Sequence, residues 1–524
     1  MKQYSLAEIF YLSYLIILFF AKGIGLYDGQ FAFKICLIIA IFCYGMKMIM
    51  TTYSWRELII IALLIIIGGF TYLNSGEKGA IIYIMMVTGM KNVPLDRIFK
   101  TAFVTWVISF GGMFFLTATR IIDSSFKIHE RFGLGFLIRW GLGHSHPNVL
   151  HISYFTLVTF AMYLQYKSWL KISTLKLLAL LMLGNLYVYL YSLSTTGFVA
   201  VSFLLALNLY WYYRKRFCLL EKILVTAFLP ICLFLSFGVP LLLTGQAFDM
   251  VNRIVNTRLN LSKHFLTNVP ISLFGTKLSE VANHWYTMDN SFLFAYVIYG
   301  VILFIIVMIA YFTIIHKFLK EQKGIELGLI IATLAAGVTE PFLFNTSFKN
   351  IPLFFLGILI FTHPNNNSPL KILPERLRMI CISLPDFALL LSGLRNKYGC
   401  LQSNCRQLYL VFAAASLIGI LLCSLIISYP DGYIAPRKHC EMKEKNTSIY
   451  LDYDFGYDSI TYLDEKKMKV LEYIDIETPM EYFTGNIVIL ERVRDKLTFG
   501  IVIGGLGIFI YLLIVKRKDE LLKR

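Results

Sequence analysis

Charge is scarce in this chain. Of 524 residues only 15% are Asp, Glu, Lys or Arg, whereas 57% are hydrophobic. A soluble domain has no way to bury that much apolar surface. No disulfide framework is present, because the nine cysteines are scattered. Cys36, Cys43, Cys218, Cys232 and Cys423 fall within or beside apolar runs and read as small core residues. Cys400 and Cys405 have no histidine neighbours, which argues against zinc, and Cys440 stands alone. A P-loop and a glycine-rich dinucleotide fingerprint are missing too, so no cofactor is expected and nucleotide-dependent chemistry is set aside. There is no internal repeat and no low-complexity tract. The first apolar run is followed by Lys22 without a small-residue cleavage site, so it reads as a span rather than a cleaved signal.

What the chain does have is a series of apolar runs, each long enough to cross a hydrocarbon core of about 30 Å as a helix. In lipid every backbone amide needs an internal partner, so these runs must be helical. The expected fold class is all-α: a polytopic membrane protein with about 14 transmembrane helices, both termini cytoplasmic and a small external domain near the C-terminus. The spans fall roughly at 6–21, 30–46, 57–73, 79–91, 101–118, 149–165, 173–191, 197–213, 219–243, 290–315, 325–341, 346–362, 407–428 and 497–515.

The formal net charge is +17. Much of the excess sits in short loops: Lys47 and Arg56; Lys91, Arg97 and Lys100; Lys167 and Lys171; the run 214–216; the run 316–323; the stretch 371–406; and the tail. With fourteen spans all of these land on one side, which is the bias that orients membrane proteins. No nucleic acid partner is implied. The expected division is a membrane core over 1–362 with external loops at 119–148 and 244–289, then a cytoplasmic linker at 363–406. A two-helix hairpin over 407–515 follows, carrying an external domain at 429–496, and 516–524 is a basic cytoplasmic tail.

The expected external loops carry cations where the bias disfavours them. Arg120, Arg131 and Arg139 lie in one; Arg253, Arg258, Lys263, His264 and Lys277 lie in the other. Arginine offers a planar fork of donors suited to phosphate. Cations gathered at that depth point to an anionic ligand such as a polyprenyl diphosphate head group. The first of these loops ends in "RWGLGHSHPN" (139–148), which sets His144, His146 and Asn148 ahead of an apolar span. No carboxylate or cysteine completes a metal site there, so none is expected. Pro147 suits a helix start, and Asn148 is a plausible N-cap.

The segment "GLGHSHPN" (141–148) resembles the glycine-rich His-Pro-Asn signature of the Wzy-type polymerases of O-antigen and capsule. "YSLSTTGFVA" (191–200) resembles their next element, with Thr195 standing where an arginine is usual. "NTRLNLSKHFL" (256–266) and "LFG" (273–275) resemble a Thr-Gly-Arg element ahead of Phe-Gly and place Arg258 on its arginine. "MDNSFLFAYVIYG" (288–300) resembles the Asp-Asn element, and Glu340 with Asn345 resembles a late Glu and Asn pair. The likeness covers about residues 130–350, in the family's order. The hairpin 407–515 is not part of the pattern and faintly resembles the co-polymerases that regulate chain length.

The resemblance implies a membrane glycosyltransferase of the cytoplasmic (inner) membrane. It would join undecaprenyl-diphosphate-linked oligosaccharide repeats on the outer face, with membrane lipids, a chain-length regulator and a flippase as partners. Such a reaction needs fixed cations near the departing diphosphate, where Arg258 is expected first and Arg253 and Arg139 second. Losing one such contact costs about 3 kcal/mol, roughly a hundredfold in rate. It also needs a base for the acceptor hydroxyl. His146 is the first expectation, with Asp289 and Glu340 as rivals, because a carboxylate near arginines would have its pKa lowered. His144, Asn148 and Asn290 are expected to bind substrate. The alternatives are an O-antigen ligase, which shares the donor, and a flippase or transporter, which would place its polar groups midway along the spans.

Overall fold

The computed structural model describes residues 2–119, 121–122, 124–131, 135–170, 172–214, 216–255, 257–281, 287–361, 380–384, 405–427, 432–436, 461–463, 480–484 and 486–522. The expected linker 363–406, apart from 380–384 and 405–406, and most of 429–479 lie outside them.

The chain is mostly helical. A short strand β1 (Lys2–Ser5) leads into α1 (Leu6–Gly23), α2 (Phe31–Met50), α3 (Trp55–Ser75), α4 (Gly79–Thr88), α5 (Leu95–Trp106) and α6 (Gly112–Ala118). A hairpin of β2 (Phe126–Arg131) and β3 (Gly135–Trp140) follows. Next come α7 (Pro147–Tyr166), α8 (Thr174–Ser192), α9 (Thr195–Tyr213), α10 (Leu219–Leu233), α11 (Val239–Leu242), α12 (Gly245–Ile254), α13 (Arg258–Asn268) and α14 (Leu278–Val281). The body closes with α15 (Ser291–Ile298), α16 (Val301–Lys320), α17 (Gly324–Gly337) and α18 (Leu353–Phe361). Strand β4 (Cys381–Leu384) pairs antiparallel with β1. Beyond it lie α19 (Cys405–Ile426), β5 (Gly432–Pro436), β6 (Thr461–Leu463), β7 (Met480–Thr484) and α20 (Asn486–Leu522).

Among the described residues, ten helices are long and apolar enough to cross a membrane. The protein is therefore a multi-pass membrane protein. Large side chains such as Ile38, Phe42, Ile59, Leu183 and Leu220 stand exposed on the bundle's flanks, where lipid is their solvent.

Several expected spans take other forms. The stretch expected to cross at 79–91 is the ten-residue α4, and that at 346–362 is the nine-residue α18. The single span expected at 290–315 is broken into α15 and α16 at Gly300, whose φ is 83°. A Cβ there would lie 2.4 Å from the Gly275 amide nitrogen, so only glycine fits the break. The helices flanking Val107–Gly111 and Phe234–Gly238 are continuous through one π-helical turn each. The last helix starts at Asn486, not near 497, so the end of the expected external domain is helix, and the expected tail up to Leu522 continues it. All-α also needs correcting: among the described residues, seven short strands form three small antiparallel sheets, the expected outer segments at 119–148 and 429–496 each contributing one.

Contacts gather the connecting segments at two polar ends. At the first end, Arg97 pairs with Glu8, Lys91 with Glu57, and Lys167 with Glu326. Gln322 accepts from the Phe217 amide there. At the second end, Lys78 pairs with Asp28, and Glu77 accepts from the Thr346 amide. Gly25 packs on Gly143, so closely that a Cβ on it would stand 2.0 Å from the Gly143 carbonyl oxygen. The hydrophobic core between the ends is dense in aromatics, with Phe99 stacked on Tyr163 at 3.9 Å and Phe19 wedged against Trp106 and Phe348.

Candidate functional site

At the second end one glutamate collects partners from four segments, three of them on its carboxylate. Glu340 lies just beyond the C-terminus of α17 and is buried. Its Oε1 accepts from the Thr196 hydroxyl at 2.6 Å and from Asn148 Nδ2 at 3.2 Å. The guanidinium of Arg258 stands 3.5 Å from the same oxygen. Its backbone carbonyl accepts from the Ser291 hydroxyl.

Local sequence explains each position. Pro147 opens α7, and the N-cap is His146, not Asn148: its Nδ1 accepts from the Asn148 amide at 3.0 Å. Asn148 is thereby freed to turn its side chain inward. There it accepts from Arg139 at 2.7 Å and donates to Glu340. Arg139 is buried, and its Nε donates to the Ser192 carbonyl at 2.9 Å, answering an orphan acceptor at the end of α8. Leu193 makes the sharp turn between α8 and α9 at φ 46°, and Ser194 caps α9, which aims Thr196 at the carboxylate. Thr257 precedes α13 at φ 63° and sets Arg258 on its first turn, where Nε donates to the Thr339 carbonyl at 3.0 Å. A left-handed β-branched residue is strained. Among the described residues, four of the seven non-glycine residues with positive φ, Leu142, Leu193, Thr257 and Phe348, sit in the segments that build this cluster.

Asn290 is fully engaged as the cap of α15. Its Oδ1 accepts from the amides of Phe292 and Leu293, and its Nδ2 donates to Ser236 and to the Val338 carbonyl, both at 2.9 Å. Ser236 is presented from the second π-helical turn. Asp289 lines a shallow cleft of about 10 Å³ with Arg258, Ser262, Thr287 and Leu293. Arg253 is exposed in the last turn of α12. His144 is buried with its ring stacked on Phe110 at 5.7 Å, and its Nε2 has no hydrogen-bond partner. Burial, helped by the charge of Lys349, holds it well below the usual histidine range, so it is a neutral ring.

The electrostatics reverse one expectation. The pKa of Glu340 is pushed up to about 7, not down. Burial is the largest cause and Asp289 adds to it; together they outweigh Arg258, the Thr196 hydroxyl and Arg139. Position adds to the penalty, since a carboxylate beside a helix C-terminus faces the negative end of the dipole. Lys349, buried nearby and donating to the Val149 carbonyl at 3.1 Å, is pushed down to about 7 by burial and by Lys22, against the pull of Glu340. The site thus holds a carboxyl and an amine that both titrate around neutrality, beside two guanidiniums.

So the fold brings together Arg139, Asn148, Arg258 and Glu340, with His146 attached through Asn148. It places Asp289 and Asn290 in the adjoining wall. Thr196 and Lys349 belong to the cluster and were not singled out in the sequence. Thr196 had a signal, standing next to the position where the family pattern expects arginine; Lys349 had none. Among the described residues no group of three or more His, Cys, Asp or Glu side chains is placed to hold a metal. No protein-family model, curated protein or solved structure matches the chain.

Proposed function

We propose that this protein is a membrane glycosyltransferase that polymerises undecaprenyl-diphosphate-linked oligosaccharide repeats at the outer face of the cytoplasmic membrane. One observation carries the reading: segments separated by up to two hundred residues deliver Asn148, Thr196 and Arg258 to the single buried carboxylate of Glu340. These are the segments that carry the resemblance to the Wzy-type polymerases.

Glu340 is the base in this reading, in place of His146. His146 has its Nδ1 engaged as the acceptor of the Asn148 amide, where it caps α7. A carboxylate titrating about 7 is matched to removing a hydroxyl proton near neutral pH. In the transfer, the bond between the anomeric carbon and the diphosphate oxygen breaks. The acceptor hydroxyl oxygen bonds to that carbon, its proton passes to Glu340, and the lipid diphosphate leaves. Arg258 faces the cleft and stabilises the departing charge without reorganising, while Arg139 holds Asn148 in register.

The test is a reconstituted reaction with a purified lipid-linked repeat. Wild type should give a ladder of products, and Glu340→Gln or Arg258→Ala at equal expression should give none in the time the wild type needs. A full ladder from both variants would remove the site from the reaction.

A further inference from the structure

The C-terminal hairpin lies outside the family pattern, yet it is anchored beside the candidate site. Helices α19 and α20 pack antiparallel, and Gly504 and Gly507 let α20 approach Phe412, Ala415 and Ser416 closely. The part of α20 nearest its N-terminus leaves α19 and meets the body. Its Arg494 is fully buried. From there Nε donates to the Leu190 carbonyl at 2.5 Å, and Nη2 donates to the Ile138 carbonyl at 2.8 Å and the Tyr191 carbonyl at 3.5 Å. Glu491 pairs with its Nη1 and accepts from Trp140 Nε1 at 3.1 Å.

These partners are not arbitrary. Ile138 and Trp140 are the two neighbours of Arg139; Leu190 and Tyr191 immediately precede Ser192. Arg139 donates to the Ser192 carbonyl and to Asn148, which donates to Glu340. The end of α8 is therefore held by two arginines, one from strand β3 and one from the terminal helix. A buried guanidinium is expensive unless its donors are satisfied, and here three backbone carbonyls and a carboxylate satisfy it. Stabilising the helix alone would not require a buried ion pair at this spot, since apolar residues of similar volume serve as well or better.

We propose that Arg494 is a positioning residue for the Glu340 site. From α20 it clamps strand β3 to the end of α8, and so fixes the Arg139, Asn148 and Glu340 relay. This rests on the reading of Glu340 as the proton acceptor, and it makes the terminal helix an integral part of the catalytic end.

The test uses the full chain in lipid nanodiscs. The key variant is Glu491→Gln with Arg494→Gln, which leaves no unpaired buried charge. Glu491→Gln alone is the reference, and Thr498→Val, which removes the contact of α20 with Tyr187 and Tyr191, is the control for helix packing. Two readouts are taken. One is the protonation midpoint of Glu340, from its carboxyl infrared band assigned with Glu340→Gln; it needs no substrate. The other is the split of kcat against KM in ladder formation. The double variant should displace the midpoint and lower kcat about tenfold with KM within about twofold, the size of one lost orienting contact. Thr498→Val should move neither. Arg494→Lys, which keeps the charge and loses the fork, should fall between and serves if the double variant does not accumulate. An unmoved midpoint in the double variant or the lysine variant, or an equal shift in Thr498→Val, would overturn the positioning role. A shifted midpoint in a chain that makes no ladder even as wild type would keep the role and reject the polymerase reading instead.

Discussion

The two polar ends of the bundle use carboxylates in opposite ways. At the first end, Glu8, Glu57, Glu221 and Glu326 all lie in the first turns of helices, where the helix dipole favours negative charge. Each meets a lysine or arginine from a neighbouring segment, and Glu57 completes a capping box with Ser54. Those are separable devices for ending helices. At the second end, Glu340 is buried as those are, but it follows a helix C-terminus and is shared by partners from three other segments. There the arginines serve helix C-terminal carbonyls and the carboxylate at once. A fold that only needed stable helix ends had the first solution available. The second costs electrostatic energy, and a raised pKa near neutrality is what that cost produces.

The contrast can be broken, or sharpened, by substitution. The largest effect is expected from Glu340→Gln, a loss of ladder formation of about a thousandfold, within the range for a missing general base. Arg258→Ala should lose about a hundredfold, chiefly in kcat. Thr196→Val and Asn148→Ala each remove one hydrogen bond to a charged group and should lose about tenfold, measured as initial rates. Glu57→Gln at the first end should leave the rate within about twofold. Its effect should be on thermal stability, about 1 kcal/mol for a damaged cap. Comparable rate losses from Glu57→Gln and Asn148→Ala would erase the distinction between the ends.

The raised pKa also fixes a sign for stability. Glu340 binds a proton more tightly in the folded chain than in the unfolded one. Folding is therefore favoured while it stays protonated, and the wild type should lose stability as pH rises from about 4.5 through about 7. Glu340→Gln should lack that loss and melt higher than wild type on the alkaline side, as read by thermal unfolding in detergent. At the acid end the two should converge.

Much of the body was legible in the sequence, for a physical reason. Runs of about 20 apolar residues have one stable form in lipid, and expected and observed limits of α1, α2, α3, α7, α8 and α9 agree within a few residues. Shorter runs escaped this logic. Within 79–91 and 346–362 the described helices α4 and α18 are shorter than the apolar runs and largely buried among other helices, and hydropathy carries no sign of either feature. The break at Gly300 was hidden for a similar reason: a single glycine inside an apolar run marks a kink only once Gly275 is seen packed against it.

The site was half legible. The segments bearing His146, Arg258, Asp289 and Glu340 could be named because they carry polar groups at span ends. Which group would hold the proton could not, since charge proximity and burial push a carboxylate in opposite directions. Near Glu340 burial wins over Arg258 and the Thr196 hydroxyl, and burial is a product of packing that the sequence does not display. Arg494 was out of reach altogether. It lies about 150 residues beyond the last motif, in a helix whose apolar run alone suggested an accessory hairpin.

The most direct test of the account is the rate of glycosidic bond formation in wild type and Glu340→Gln, from about pH 5 to about pH 9 with a saturating lipid-linked repeat. The account predicts a wild-type rate that climbs about tenfold per pH unit and levels off above about 7, against a variant that stays at its floor throughout. A variant that keeps the same climb, with the same midpoint, would show that some other group takes the proton.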